Sequence, residues 1–346
     1  MTRTESHVIC TLFDHRYLPR GLCMIRSARR HGFGGDIWVL CLNDECELRM
    51  RTLALPGIRT ISLGQLEDQI PRLKVAKNNR NIVEYYFTCM SALHTWLFET
   101  QPEIGGTMYV DADMQFFDSP ESVFDAIGDA PVAVTPHNFL PQNRDKEMFG
   151  KFNGGWSAFR RTPEGLSCLK WWLDKSLEWC HDWVEDERYA NQKYMNQFPA
   201  IAPGTRILSQ KGFNCAPWNI GNYKLSEREG RLWVDEEPLV FYHFHSLKRR
   251  GIFFEFPDRK YGAQISWFAR NRLYRPYVRE LLRLERQYGS SPRATRQARA
   301  DLRSQVAAGG ACHYLGKMML SPWKAMNGLS ELMRNLPVIV IGSRVL

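Results

Sequence analysis

Two carboxylates, Asp111 and Asp113, stand one residue apart where an apolar run at 108–110 stops. An aromatic and apolar stretch resumes behind them, and Ser119-Pro120 ends it. Carboxylates at i and i+2 beside a buried strand repel each other and lose hydration, so the pair is costly unless a cation lies between them. Hard oxygen ligands suit Mn²⁺ or Mg²⁺, and such an ion would in turn hold a diphosphate. The alternative is a solvated turn with ordinary surface aspartates. Far along the chain a second apolar run, 239–242, ends on His243-Phe244-His245, with Lys248, Arg249 and Arg250 close behind. Imidazole also ligates Mn²⁺, so His243, with His245 as the alternative, can close a coordination shell opened by Asp111 and Asp113. The cations behind it suit the charge on a diphosphate leaving group. Taken alone, the two histidines read as a hydrogen-bonded core pair; taken with the aspartates, they read as ligands.

The elements that must bring these groups together are legible as periodicity. The runs 7–13, 37–42 and 58–61 read as buried strands, with helices expected at 19–30, 45–53 and 78–100. Gly105-Gly106 turns the chain into the strand that carries the two aspartates. Strand and helix in alternation predict an α/β fold with a parallel sheet covered on its faces. Ligands bind such sheets outside the carboxyl ends of the strands. The break at residues 11–14 and the Asp111–Asp113 pair both lie at such ends. Beyond them, 131–135 is a further strand, and Asn153-Gly154-Gly155-Trp156 reads as a tight turn before a short strand. Pro163, after Thr162 as a cap, opens a helix expected to reach residue 183. Trp156 and Trp218 are candidates to stack on a sugar face and equally good core residues.

Composition bounds the class. The 346 residues are 44% hydrophobic and 24% charged, enough for a substantial core in one large domain or two. Nine scattered cysteines without a C-x-x-C argue against a disulfide framework or a zinc site, and for a reducing compartment. No signal peptide is read at the N-terminus, and no apolar stretch approaches the roughly 18–20 residues that span a bilayer. A cytoplasmic protein is expected, soluble or peripheral at the inner face of the membrane. Residues 270–346 carry 14 Lys+Arg against 4 Asp+Glu, which accounts for the whole net charge of +9. Arg275, Arg279, Arg283 and Arg286 share one helical face, and Arg293, Arg296, Arg299 and Arg303 repeat the trend. A solvated face and a basic helix pair docking on an anionic membrane or an acidic partner are about equally good readings. Nucleic acid is not expected, since arginines without a reading motif are weak evidence.

Across residues 7–250 the motif order resembles the GT-A-fold nucleotide-sugar glycosyltransferases, and among them glycosyltransferase family eight, the group of glycogenin and bacterial lipopolysaccharide hexosyltransferases. The strand V-I-C-T-L-F-D-H-R-Y resembles the family's nucleotide-binding strand, which implies that Thr11, Asp14 and Tyr17 hold uracil and ribose. Y-V-D-A-D resembles its metal-binding motif. F-N-G-G-W resembles the F-N-x-G segment beside the donor sugar, implicating Asn153 and Gly154. N-Q-K-Y-M-N resembles D-Q-x-x-x-N, implicating Gln192 and Asn196. F-Y-H-F-H-S-L-K resembles H-F-x-G-x-x-K, which implies His243 on the metal and Lys248 or Arg249 on the diphosphate. The family's helix before the Asp-x-Asp strand implicates Arg80 and Thr88. Two residues depart from the pattern: Asn191 stands for the aspartate of D-Q, and Ser246 for the glycine of H-F-x-G. The amide at 191 removes a possible nucleophile but keeps a hydrogen-bonding role toward the sugar. Same-face attack with retention of configuration follows as the expectation, with Gln192 and Asn153 positioning the sugar.

The expected fold is therefore GT-A, a mixed, mostly parallel sheet flanked by helices over residues 1–268, with a basic helical extension over 269–346. The expected activity is metal-dependent transfer of a hexose from a nucleotide sugar, with UDP as the nucleotide, to a glycan or glycolipid, using Mn²⁺ or Mg²⁺. One alternative is a nucleotidyltransferase, ranked low for want of a Gly- and Lys-rich phosphate loop. The other is a non-catalytic, membrane-associated glycan-binding or scaffold protein on the same fold, which Asn191 keeps open.

Overall fold

The computed structural model describes residues 6–250, 253–257, 261–262, 265–288, 338–341 and 344–345. Four parallel strands, β1 (Ser6–Phe13), β2 (Ile37–Cys41), β3 (Ile58–Ser62) and β4 (Ile104–Val110), lie in the order β3-β2-β1-β4. The crossovers are α1 (Leu18–Arg30), α2 (Asp44–Leu53), then α3 (Leu63–Gln69), α4 (Arg72–Lys77) and α5 (Ile82–Thr100). Winding runs outward from β1 to β3 and then returns to place β4 on the other side of β1. Such a reversal is where open α/β sheets bind ligands, here the crevice position outside the carboxyl ends of β1 and β4. After β5 (Met114–Phe116) and α6 (Glu121–Ile127) come β6 (Val132–Pro136) and β7 (Phe152–Arg160). β7 runs antiparallel between β4 and β6, which makes the sheet mixed. α7 (Pro163–Glu178) and α8 (Phe198–Ile201) precede β8 (Arg206–Ile207), parallel to β6 at the edge. A meander of β9 (Leu225–Arg228), β10 (Arg231–Val234) and β11 (Glu237–Pro238) leads into β12 (Phe241–His243), which pairs antiparallel with β5.

Period-two alternation sorts β1 between two covers. Val8 and Cys10 enter the core that α5 and α7 close, with Tyr109 and Phe159, while Thr11 points to the opposite face. α5 starts on a capping box between Asn81 and Glu84. Its C-terminal carbonyls are tied down by Arg161, which donates to Phe98 O, Gln101 O and Ile104 O and so fixes the start of β4 against the end of α5. His94 of α5 bridges Thr107 of β4 and Ser157 of β7, and burial holds it at a pKa of about 3, hence neutral.

Two expectations are corrected here. The helix from Pro163 ends at Glu178 rather than running to 183, because Trp179 is extended at φ −151° and Arg80 takes the carbonyls of Ser176 and Leu177. Asn153-Gly154-Gly155-Trp156 is not a turn but the interior of β7. Its glycines serve close approach instead, as glycine inside a strand commonly does.

The residues form two compact units, Met1–Phe244 and His245–Leu346, dividing before the expected boundary at 268. β12 is locked to β5, whereas β13 (Lys248–Arg250) turns onto β14 (Phe253–Glu255) in a small sheet completed by β15 (Val338–Ile341) and β16 (Arg344–Val345). A helix at Arg275–Tyr288 buries Tyr277, Val278, Leu281, Leu282 and Leu284 and exposes Arg279, Arg283 and Arg286. Arg293, Arg296, Arg299 and Arg303 lie outside the described residues. No described helix is long and apolar enough to cross a membrane.

Candidate active site

At the end of β4, the Asp111 N–H donates to Gly155 O at 2.9 Å, and the Met114 N–H closes a turn onto Asp111 O at 3.0 Å. The turn sets both carboxylates on the crevice side and starts β5. Because β5 pairs with β12 in the register His243↔Met114, the imidazole arrives next to Asp113. A slip of one residue would send it to the other face. The register is held by His243 N–H on Cys215 O (2.7 Å) and Phe244 N–H on Asp113 O (2.9 Å). His243 Nε2 lies 3.0 Å from Asp113 Oδ1 and 3.7 Å from Asp111 Oδ2. One ligand atom from each of the three falls within 4.8 Å of the others.

The surroundings aim these atoms. The Tyr109 hydroxyl donates to Asp111 Oδ1 at 2.7 Å, which turns Oδ2 toward His243. Trp218 packs its edge on the His243 ring, with centroids 5.2 Å apart. Gly155 is the floor on which the groups meet: a β-carbon there would stand 2.4 Å from Asp111 Oδ2, 2.8 Å from His243 Cε1 and 3.0 Å from Asn153 Oδ1.

No family model matches the chain. Two uncharacterised proteins of Bacillus subtilis (strain 168) are similar to it. YfnD is 26% identical over 283 residues, covering 79% of this chain and 88% of that one. YfnF is 24% identical over 247 residues, covering 69% and 81%. Among solved structures, the chain resembles the galactosyltransferase LgtC, crystallised with donor and acceptor sugar analogues. The TM-score is 0.53 at 15% identity, covering 84% of this chain and 99% of that one. The fold is GT-A.

On this GT-A frame, the residues present fit a divalent cation. For metal–ligand bonds of about 2.1 Å, adjacent corners of an octahedron are about 3 Å apart, and two carboxylates with one imidazole make a hard, largely oxygen donor set. Electrostatics agrees. Burial pushes Asp111 up to about 6, with Asp113 adding to the rise and His243 and Tyr109 opposing it. Burial works to lower His243, but Asp113 and then Asp111 outweigh it and raise the imidazole above its usual value. Both groups therefore bind a proton more tightly folded than unfolded. Their contribution to stability is complete below the unfolded carboxylate value of about 4 and is lost as pH rises through the folded values. A divalent cation has the opposite pH dependence, since it needs Asp111 ionised and His243 neutral. Thermal melts should show Mn²⁺ raising Tm at about pH 7.5 and having little effect at about pH 5. Equal shifts at both would count against this ligand set.

The remaining expected site residues separate into two groups. On the β1 side, Thr11 is fully buried, and its Oγ1 has no hydrogen-bond partner among the described residues. The Asp14 carboxylate accepts from the Arg16 and Tyr17 N–H groups and shapes the entry to α1. Tyr17 is 48% exposed, yet partial desolvation and then the Asp113 charge raise its phenol, which puts it within electrostatic reach of the carboxylate pair. On the β7 side, Gln192 accepts from the Gly154 N–H and donates to Phe149 O, while Asn196 Oδ1 accepts from the Lys151 N–H. Both bracket the strand that carries Asn153 and Gly155.

The others are described by their own partners. Asn191, expected to face the sugar, is turned into the core, its Nδ2 2.9 Å from Met90 Sδ and its carbonyl accepting from the Trp172 indole. Trp156 and Trp218, read as sugar platforms or core residues on equal terms, are buried: Trp156 stacks on Phe241, and Trp218 walls His243 and His137. Arg80, expected near the nucleotide, bonds Thr88 and the end of α7. His245, Lys248 and Arg249 belong to the second unit, where the His245 ring is 5.9 Å from Tyr261 and Arg249 pairs with Glu285. Sequence reasoning passed over Tyr109, Gly155 and His137. The glycine pair inside an apolar run was the one available signal, since it marks a close backbone approach.

Proposed function

We propose that this chain is a metal-dependent glycosyltransferase that moves a hexose from a nucleotide sugar, with UDP as the nucleotide, to a glycan or glycolipid acceptor. The observation that carries this reading is the Asp111, Asp113 and His243 group, closed over Gly155 at the carboxyl ends of β1 and β4 on a GT-A fold. A Mn²⁺ or Mg²⁺ held by these three residues supplies neutralisation of a departing diphosphate.

The chain's own residues do the rest. Tyr109 leaves Asp111 Oδ2 free for a cation by donating to Oδ1. Thr11, Asp14 and Tyr17 form the β1 wall proposed for the base and ribose, and the unpartnered Thr11 Oγ1 supports a polar ligand there. Gln192 acts as a positioning residue, because its amide is spent on the backbone that carries Gly154. With Asn191 facing Met90, no carboxylate stands at the position of the resembled D-Q motif. That supports same-face attack with retention of configuration. A covalent glycosyl adduct trapped on this protein would overturn it.

Incubation with a panel of nucleotide sugars and Mn²⁺ should release nucleotide from a UDP-hexose. If no donor is bound or turned over and Mn²⁺ does not bind, the enzyme reading fails and a glycan-binding scaffold takes its place. We place the protein in the cytoplasm, with the exposed arginines of Arg275–Tyr288 holding it to an anionic membrane face. Anionic vesicles should sediment it, and should sediment less of a variant with Arg279, Arg283 and Arg286 changed to Gln; equal sedimentation removes this placement.

A further inference from the structure

Asn153 is only 5% exposed, and one end of its amide is spoken for. Its Nδ2 lies 3.3 Å from His137 Nε2, and His137 Nδ1 lies 3.3 Å from the Lys151 carbonyl. A carbonyl oxygen only accepts, so the imidazole hydrogen sits on Nδ1, and the neutral ring offers a lone pair at Nε2. Only the NH₂ of Asn153 can answer that lone pair. Its Oδ1 is thereby turned away, into the gap over Gly155, buried and without a hydrogen-bond partner among the described residues. His137 itself is clamped: its ring stacks on Phe139 at 4.6 Å, the Trp218 edge closes it at 5.3 Å, and its carbonyl accepts from Asn219 Nδ2.

We infer that Asn153 Oδ1 is a further ligand of the cation held by Asp111, Asp113 and His243, and that His137 is the positioning residue that keeps oxygen rather than NH₂ toward the ion. The inference rests on the metal site proposed above. An amide oxygen is a hard ligand that adds no third negative charge to a pair that already repels. Asn153 Oδ1 and Asp111 Oδ2 both lie within 3.0 Å of the point that a β-carbon on Gly155 would occupy, so the amide oxygen is directed to the same place as the carboxylate.

The test is Mn²⁺ binding to the full-length protein without donor, followed by the paramagnetic resonance of free Mn²⁺, with melting curves as the folding control. Asn153→Ala should weaken binding by roughly tenfold or more, and His137→Phe should weaken it in the same direction. The double variant should be no weaker than Asn153→Ala, because His137 acts only through that amide. Wild-type Mn²⁺ affinity in Asn153→Ala, alongside loss in Asp113→Asn, overturns the inference and leaves the metal site standing. Wild-type affinity in Asp113→Asn as well overturns the metal site itself. If His137→Phe does not fold, the Asn153→Ala result decides.

Discussion

Asp113→Asn is expected to reduce Mn²⁺ affinity by more than about a hundredfold and to take donor turnover with it. The substitution keeps the shape of the side chain and removes one charge. Asp113 Oδ1 is the carboxylate atom closer to His243 Nε2, at 3.0 Å, so the change exchanges a charged ligand of the cation for a neutral amide and takes from the imidazole its nearest anion. Supporting residues around metals usually cost ten- to a hundredfold when lost, and a direct ligand should cost at least as much. Two readouts make the result specific: nucleotide release from the donor and the Mn²⁺-induced rise in Tm. Both should vanish together while the metal-free melting curve stays cooperative. A variant that keeps its Mn²⁺ response and its turnover would show that the pair is the solvated turn considered at the outset.

Gly155→Ala should be nearly as damaging, by a steric route. The added methyl would lie 2.4 Å from Asp111 Oδ2 and 2.8 Å from His243 Cε1. Neither neighbour can move cheaply. Asp111 is tied by Tyr109 and by its own N–H on Gly155 O; His243 is tied by the β5–β12 register and the edge of Trp218. Overpacking a tight site costs about 1–3 kcal/mol, and a catalytic group misplaced by about 1 Å can cost about a hundredfold in rate. Gly154→Ala is the natural comparison. Its methyl would meet Gln192 side-chain atoms at 3.1–3.4 Å, a contact that a shift of a few tenths of an ångström relieves. Denaturation midpoints and nucleotide release measured on both should place 155 well below 154. Equal activities would mean that Asp111 is not held where turnover needs it.

What this chain determines locally is its alternation of apolar strands and helices, the carboxylate pair at the end of one strand and the histidine at the end of another. These features follow from periodicity and from the cost of stopping a buried strand on charge, both of which act within a few residues. The strands at Ser6–Phe13, Ile37–Cys41 and Ile58–Ser62 lie where their apolar runs predict them. Which way a side chain faces is a different matter, because it depends on partners far away in the chain. Asn191 points at Met90, 101 residues earlier. Trp156 stacks on Phe241, a residue of β12 far along the chain. The glycines of β7, which read as a turn in isolation, sit inside a strand because β4 and β6 pair with it on either side, and a β-carbon on either would meet Gln192 or the Asp111–His243 pair. The link from His137, just past the end of β6, to Asn153 in β7 has no sequence signature. Chemistry-bearing residue types could thus be found by local pattern. Tertiary structure decided which of them meet, because register and cross-strand contact, rather than local spacing, choose the face each one takes.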